Sequence, residues 1–164
     1  MPATSLIATL EKLYKLHKSL FDLSVEKTDV IKKGAMIELD AVLKDEQKHL
    51  AAINTLEIKR QQESNHYLDS LGVRMEKTPT ISLCMEYSSP EDAEILGIWQ
   101  RRLVDMIAEL KARNELNQKL VYQSLQFVNM NLSLLQPKSV KLTYSRPNAE
   151  KSIPAGKSIF DSKA

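Results

Sequence analysis

From Pro90 to Leu135 the chain repeats one apolar pattern at heptad spacing for 46 residues. One stripe is Leu96, Leu103, Leu110, Asn117, Ser124 and Asn131. A second is Trp99, Met106, Arg113, Leu120, Phe127 and Leu134. Their steps alternate between three and four residues, which places both stripes on one face of a helix. A third row, Ile107, Asn114, Val121, Val128 and Leu135, widens that face to bundle width rather than a narrow coiled-coil seam. A helix so apolar on one side has to lie against other helices. The chain is therefore built to present and bury surfaces.

The breakers divide the rest. Between Ala3 and Gln136 the only prolines are Pro79 and Pro90. Gly34 and Gly72 stand just past two periodic segments, where a helix C-terminus favours positive φ. Helix 1 is expected from about Ser5 to Lys33, with Leu6, Leu10, Leu13, Leu20 and Ile31 inward and Lys32 and Lys33 suiting the helix dipole in the last turn. Helix 2 is expected from about Met36 to Leu71, with Leu39, Leu43, Leu50, Ile53, Leu56 and Leu71 inward. The short link between them makes the two antiparallel neighbours. A short helical piece is expected at Ile81–Glu86. Ser89-Pro90-Glu91-Asp92 then reads as a helix start, with Ser89 as N-cap and two acids in the first turn.

These elements predict an all-α fold, an up-and-down bundle of three long helices plus one short helix, with coiled-coil-like packing. The bundle domain is expected over residues 1–135. Residues 136–164 hold three prolines, no helical period and six basic side chains (Lys138, Lys141, Arg146, Lys151, Lys157, Lys163) against Glu150 and Asp161. They read as a flexible basic tail. Their balance of +4 leaves −2 for the body, since the whole chain carries +2. That total is too small to argue for nucleic acid as a partner. No apolar run approaches the ~20 residues of a membrane span, so direct membrane insertion is not expected. The residues from Met1 to Ser5 lack the basic start of a signal peptide. The single Cys84 excludes an intramolecular disulfide and fits a reducing cytosol.

Chemistry is sparse. Glu46 and His49, and Glu63 and His66, form Glu-x-x-His pairs of the kind that hold di-iron centres in bundles. Such a centre needs the pairs on two helices, and both lie on helix 2, 17 residues or roughly 25 Å apart. No metal or other cofactor is expected. His17, on an otherwise apolar stripe, reads as a partly buried, hydrogen-bonded histidine. Cys84 reads as a small hydrophobe. The four glycines are isolated, so there is no phosphate loop. No catalytic residues are assigned, and an enzyme is not expected.

Arg113, Asn114 and Asn117 interrupt three apolar rows at one level. Buried polar groups need partners and can fix register. Glu46 or Glu57 of helix 2 is the expected internal partner, a docking helix the alternative. Helix lengths point to a binding surface. With the short piece counted as helix 3 and Pro90–Leu135 as helix 4, helices 1, 2 and 4 span roughly 43, 54 and 69 Å at 1.5 Å per residue. Helix 4 thus projects past the Gly34 turn if the helices pack up-down-up. Its distal half, with Asn117, Leu120, Val121, Ser124, Phe127, Val128, Asn131, Leu134 and Leu135, is the expected partner-binding face.

With these residues placed, the chain resembles the FlgN family of flagellar type III export chaperones over most of residues 5–135. In helices 1 and 2 the resemblance lies in Leu20, Glu26-Lys27, Ile31-Lys32-Lys33-Gly34, Leu39, Leu43, Glu46, Leu50, Leu56-Glu57 and Arg60. In helix 4 it lies in the run from Asn114 to Val121 and in Ser124-Leu125. Tyr144, soon after the last helix, also fits. Ala35-Met36 departs from the Asp that is frequent after the turn. The resemblance implies a cytoplasmic chaperone, monomeric or weakly dimeric, for the hook–filament junction proteins FlgK and FlgL. It implies binding of their helical C-terminal segments, prevention of premature assembly, and delivery to the export gate protein FlhA, with Tyr144 offered to the gate. A coiled-coil adaptor or dimerisation protein, using the same face, is the competing expectation.

Overall fold

The computed structural model describes residues 2–74 and 76–136. Four helices follow one another: α1 (Pro2–Lys33), α2 (Met36–Ser70), α3 (Ile81–Glu86) and α4 (Pro90–Leu135). No strand occurs among the described residues. Apart from Gln136, the expected tail lies outside them.

Local chemistry sets the ends of these helices. Gly34 and Gly72 adopt φ of 66° and 77°. After α1, Gly34 N–H donates to the Ile31 carbonyl at 3.1 Å and Ala35 N–H to that of Val30 at 3.3 Å. After α2, Gly72 N–H donates to Asp69 at 3.0 Å and Val73 N–H to Leu68 at 2.9 Å. Both are Schellman closures, which satisfy the last carbonyls of a helix and require a left-handed residue that glycine adopts without strain. Thr80 caps α3 by accepting from Leu83 N–H at 3.2 Å, and Ser89 caps α4 by accepting from Asp92 N–H at 3.2 Å. α1 begins three residues earlier than the periodicity predicts. Its first turn is held by packing, because Ala3 and Leu6 are buried in the core with Tyr67 and Leu68.

α1 is the middle helix. It packs along both α2 and α4, whereas α2 and α4 nowhere bring Cα atoms within 8 Å of each other. The order is up-down-up, and α4 runs parallel to α1. Tyr14 packs against Trp99 with ring centroids 5.8 Å apart and planes tilted by 60°. Further along, Asn117 of α4 bonds to Ser24 and Thr28 of α1. α3 folds back along α4. Ser82 accepts from Gln100 Nε2 at 2.8 Å, and the side chain of Met85 lies against Gly97. The main core forms at this end, where four helices meet: Leu6, Leu10, Leu13, Tyr67, Leu68, Ile81, Cys84, Leu96 and Leu103 are all buried.

The distal half has only three helices, and this corrects part of the expected core. Leu43 and Leu50 of α2 are 42% and 49% exposed instead of buried, and Leu71, just past α2 at the other end, is 42% exposed at the edge of the main core. On α4, Ile107, Val121 and Val128 of the third row are also exposed. In the distal half the faces of α2 and α4 are apolar as the heptads require, but no fourth helix covers them. Beyond Val128, about two turns of α4 run on, with Leu132, Leu134 and Leu135 exposed.

Candidate functional site: a groove over the middle helix

A groove runs along α1 between the walls formed by α2 and α4. Its floor is Leu20, Lys27, Val30 and Ile31. One wall is Met36, Leu39, Glu46 and Leu50 of α2. The other is Asn114, Val121, Tyr122, Leu125, Phe127 and Val128 of α4. Two hollows of about 480 and 560 Å³ share Val121 and Leu125, so they are stretches of one groove. A third hollow of about 350 Å³ continues the same heptad rows, through His17 on α1, Glu57 and Arg60 on α2 and Ile107 on α4, up to Pro79, Thr80 and Ile81. There the groove ends, because the loop and α3 fill it. α3 thus occupies the position of a fourth helix at one end of the bundle, and that position is vacant over the rest.

The groove is mostly apolar, with paired polar groups at intervals. Lys27 Nζ donates to both carboxylate oxygens of Glu46, at 3.1 and 2.9 Å, and both side chains are largely buried. Arg60 donates from Nε and Nη2 to Glu57 at 2.8 and 2.6 Å. Those hydrogen bonds, with the Arg60 charge behind them, hold the Glu57 carboxyl below the usual range against the opposing effect of its partial burial. The arrangement offers apolar contact and neutral ion pairs, which suits a helical peptide laid along the groove.

The expected partner-binding residues divide. Val121, Ser124, Phe127 and Val128 line the groove. Leu120 and Asn131 are half-buried, and Leu134 and Leu135 lie on the projecting end. Asn117 borders the groove but is only 2% exposed, because Thr28 Oγ1 donates to its Oδ1 at 2.6 Å and its Nδ2 donates to the Ser24 carbonyl at 2.8 Å. The expected internal partner is therefore corrected. Asn117 is satisfied by α1, while Glu46 pairs with Lys27 and Glu57 with Arg60. Arg113 faces away from the groove wall onto Phe21, 5.9 Å from its ring centroid. Tyr144 lies outside the described residues. The α2 wall was missed in the sequence. The signal that could have found it is Leu39 and Leu50 on a helix otherwise too polar to be buried all along its length.

The remaining chemistry is local. Among the described residues, no three His, Cys, Asp or Glu side chains cluster as metal ligands. His49 donates from Nδ1 to the Asp45 carbonyl at 2.8 Å, which leaves Nε2 to accept from Ser19 Oγ at 2.8 Å. Glu63 accepts from Ser5 Oγ at 2.6 Å. His17 donates to the Leu13 carbonyl at 2.8 Å. Burial pushes the Cys84 thiol up, away from the reactive thiolate. No described helix is long and apolar enough to cross a membrane.

The family described as FlgN protein matches residues 1–152. The chain is also 33% identical, over 165 residues spanning 100% of both sequences, to a Bacillus subtilis (strain 168) protein called uncharacterized protein YvyG. No solved structure matches.

Proposed function

The chain belongs to the FlgN family of flagellar export chaperones, and from that premise and the vacant fourth position of the bundle we propose that its groove shelters one helix of an exported flagellar protein. The cargo is of the FlgK and FlgL class, the hook–filament junction proteins, bound through a helical C-terminal segment. Such a segment is amphipathic and would associate with its own kind in water. Laying its apolar face against Leu20, Leu50, Val121, Leu125 and Val128 completes the bundle and keeps the segment from assembling early. The complex forms in the cytoplasm and is carried to the export gate protein FlhA, with Tyr144 as the contact offered to the gate. No catalytic step is needed.

The observation that supports this reading is the groove itself, open where three helices stand and closed where α3 supplies the fourth. Titration of the chain with the C-terminal segment of a FlgK-class protein tests it. Leu50→Asp and Val121→Asp change exposed groove walls and should leave the chain folded, yet weaken binding at least tenfold. Unchanged affinity in both variants would place the cargo elsewhere. Tyr144→Ala should bind the same segment normally and lose capture by FlhA, and normal capture would remove Tyr144 from the reading.

A further inference from the structure

One cross-section of the bundle is polar on all three helices. Ser24 and Thr28 of α1 meet Asn117 of α4 inside, and on the groove side the same level presents Lys27, Glu46 and Asn114. Apolar floor and walls resume in both directions along the groove, at Leu20 and Leu50 on one side and at Leu39 and Val128 on the other. This polar rung therefore lies between two apolar stretches of the groove, and the next ion pair, Glu57–Arg60, stands further along toward α3. The groove's occupant is a helix, because the chain's own α3 fills the end of the same track and the lining residues recur at heptad spacing.

We propose that this rung sets the register of the bound helix by taking an uncharged amide side chain, asparagine or glutamine, at the one heptad position that meets Lys27, Glu46 and Asn114, with apolar side chains at the neighbouring inward positions. The inference rests on the reading of the groove as a helix-docking site and adds the chemistry of the occupant. Lys27 and Glu46 already neutralise each other, so a charged side chain from the partner would enter unpaired. An apolar side chain would strip water from the pair and from the Asn114 amide without returning a hydrogen bond. An amide donates and accepts at once. It can serve the free lone pairs of Glu46 and the remaining N–H groups of Lys27 together. One heptad step away the same amide would face leucine, so a slip by one heptad leaves it unsatisfied.

The probes are three synthetic amphipathic helical peptides of equal length, titrated into the full chain. One has leucine at every inward position, one a single asparagine at the centre, and one that asparagine moved by a heptad. Against the unaltered chain, the central-asparagine peptide should bind at least as tightly as the all-leucine peptide, and the moved one about tenfold more weakly than the central. Lys27→Met/Glu46→Leu removes the pair together and so leaves no lone buried charge. This variant should reverse the order of the first two peptides by about tenfold. Asn114→Leu, a change confined to the half-buried wall, should move the ratio the same way and guards against a misfolded double variant. Equal binding of all three peptides, or an unchanged order in both variants, would overturn the register proposal while leaving the docking site intact. Failure of every peptide to bind, or a dimer of the chain that no peptide displaces, would overturn it because something else occupies the groove. Loss of groove dependence for the FlgK-class segment as well would remove the docking reading.

Discussion

Thr28 of α1 and Asn117 of α4 are joined by a 2.6 Å hydrogen bond inside the bundle, between residues 89 positions apart. Asn117 returns a second bond to α1 through the Ser24 carbonyl at 2.8 Å. Together these tie the two parallel helices in one axial register. Asn117→Ala removes both inter-helix hydrogen bonds, at about 2 kcal/mol in all, and leaves the Thr28 hydroxyl to donate within α1 to the Ser24 carbonyl 3.1 Å away. Thermal unfolding should fall by about 4–8 °C. Pairing it with Thr28→Val should lower stability by less than the sum of the two single changes, and full additivity would show that the bond contributes little.

Phe127 separates a docking wall from a core position. It is 62% exposed at the groove edge. Phe127→Asp should leave the melting temperature within about 2 °C, as surface changes do. It should weaken cargo binding about 30-fold, because a carboxylate buried in an apolar contact costs about 2 kcal/mol or more. Leu103→Asp, at a buried site on the same helix, should unfold the bundle instead. Melting curves and cargo titrations on the two variants check both halves.

Gly97 controls how closely α3 sits on α4. A Cβ there would meet Met85 Cε at 3.1 Å, the free end of a flexible side chain. Gly97→Ala should therefore move Met85 slightly and gain up to about 1 kcal/mol of helix propensity. Gly97→Leu should push α3 out of its seat. Its melting temperature should drop and protease cleavage within residues 72–88 should accelerate, while α4 keeps its helical circular dichroism.

Acid should weaken the Glu57–Arg60 pair in a defined direction. The folded-state carboxyl titrates below its ordinary value of 4.5, chiefly through the Arg60 hydrogen bonds. Its stabilising contribution is complete above that value and is lost as pH falls through the lower folded one. Glu57→Gln should flatten the acid limb of the stability curve below the ordinary carboxyl value of 4.5 relative to the parent. The difference should be small, since Glu57 is 40% exposed and screened by solvent. Identical acid limbs would show that the pair carries none of the pH dependence.

Local rules made much of the fold readable. The Ser89 cap, the Pro90 start, the two glycines at positive φ and the heptads of α4 depend on residues within a turn or two of each other. Each therefore reads correctly without knowing what surrounds it. The polar level at Asn114 and Asn117 was visible for the same reason, because Asn114 interrupts a row of isoleucine, valine and leucine and Asn117 follows three leucines in its own row.

What packs against an apolar face is a different kind of information. Heptad periodicity says that Leu50, Val121 and Val128 share faces with buried leucines, but not that a neighbour is missing there. It places Asn117 in a helix interior without telling whether α1 or α2 will hold it. Those outcomes depend on α1 taking the middle position and on α3 filling only one end of the fourth. They are settled by contacts between residues as far apart as Ser24 and Asn117. The sequence by itself determined which helices form, where they stop and which faces are apolar, because those are short-range properties of the backbone and its side-chain spacing. The tertiary structure alone decided which apolar faces were consumed in the core and which were left as a groove, because three long helices and one short one cannot cover every face that the heptads provide.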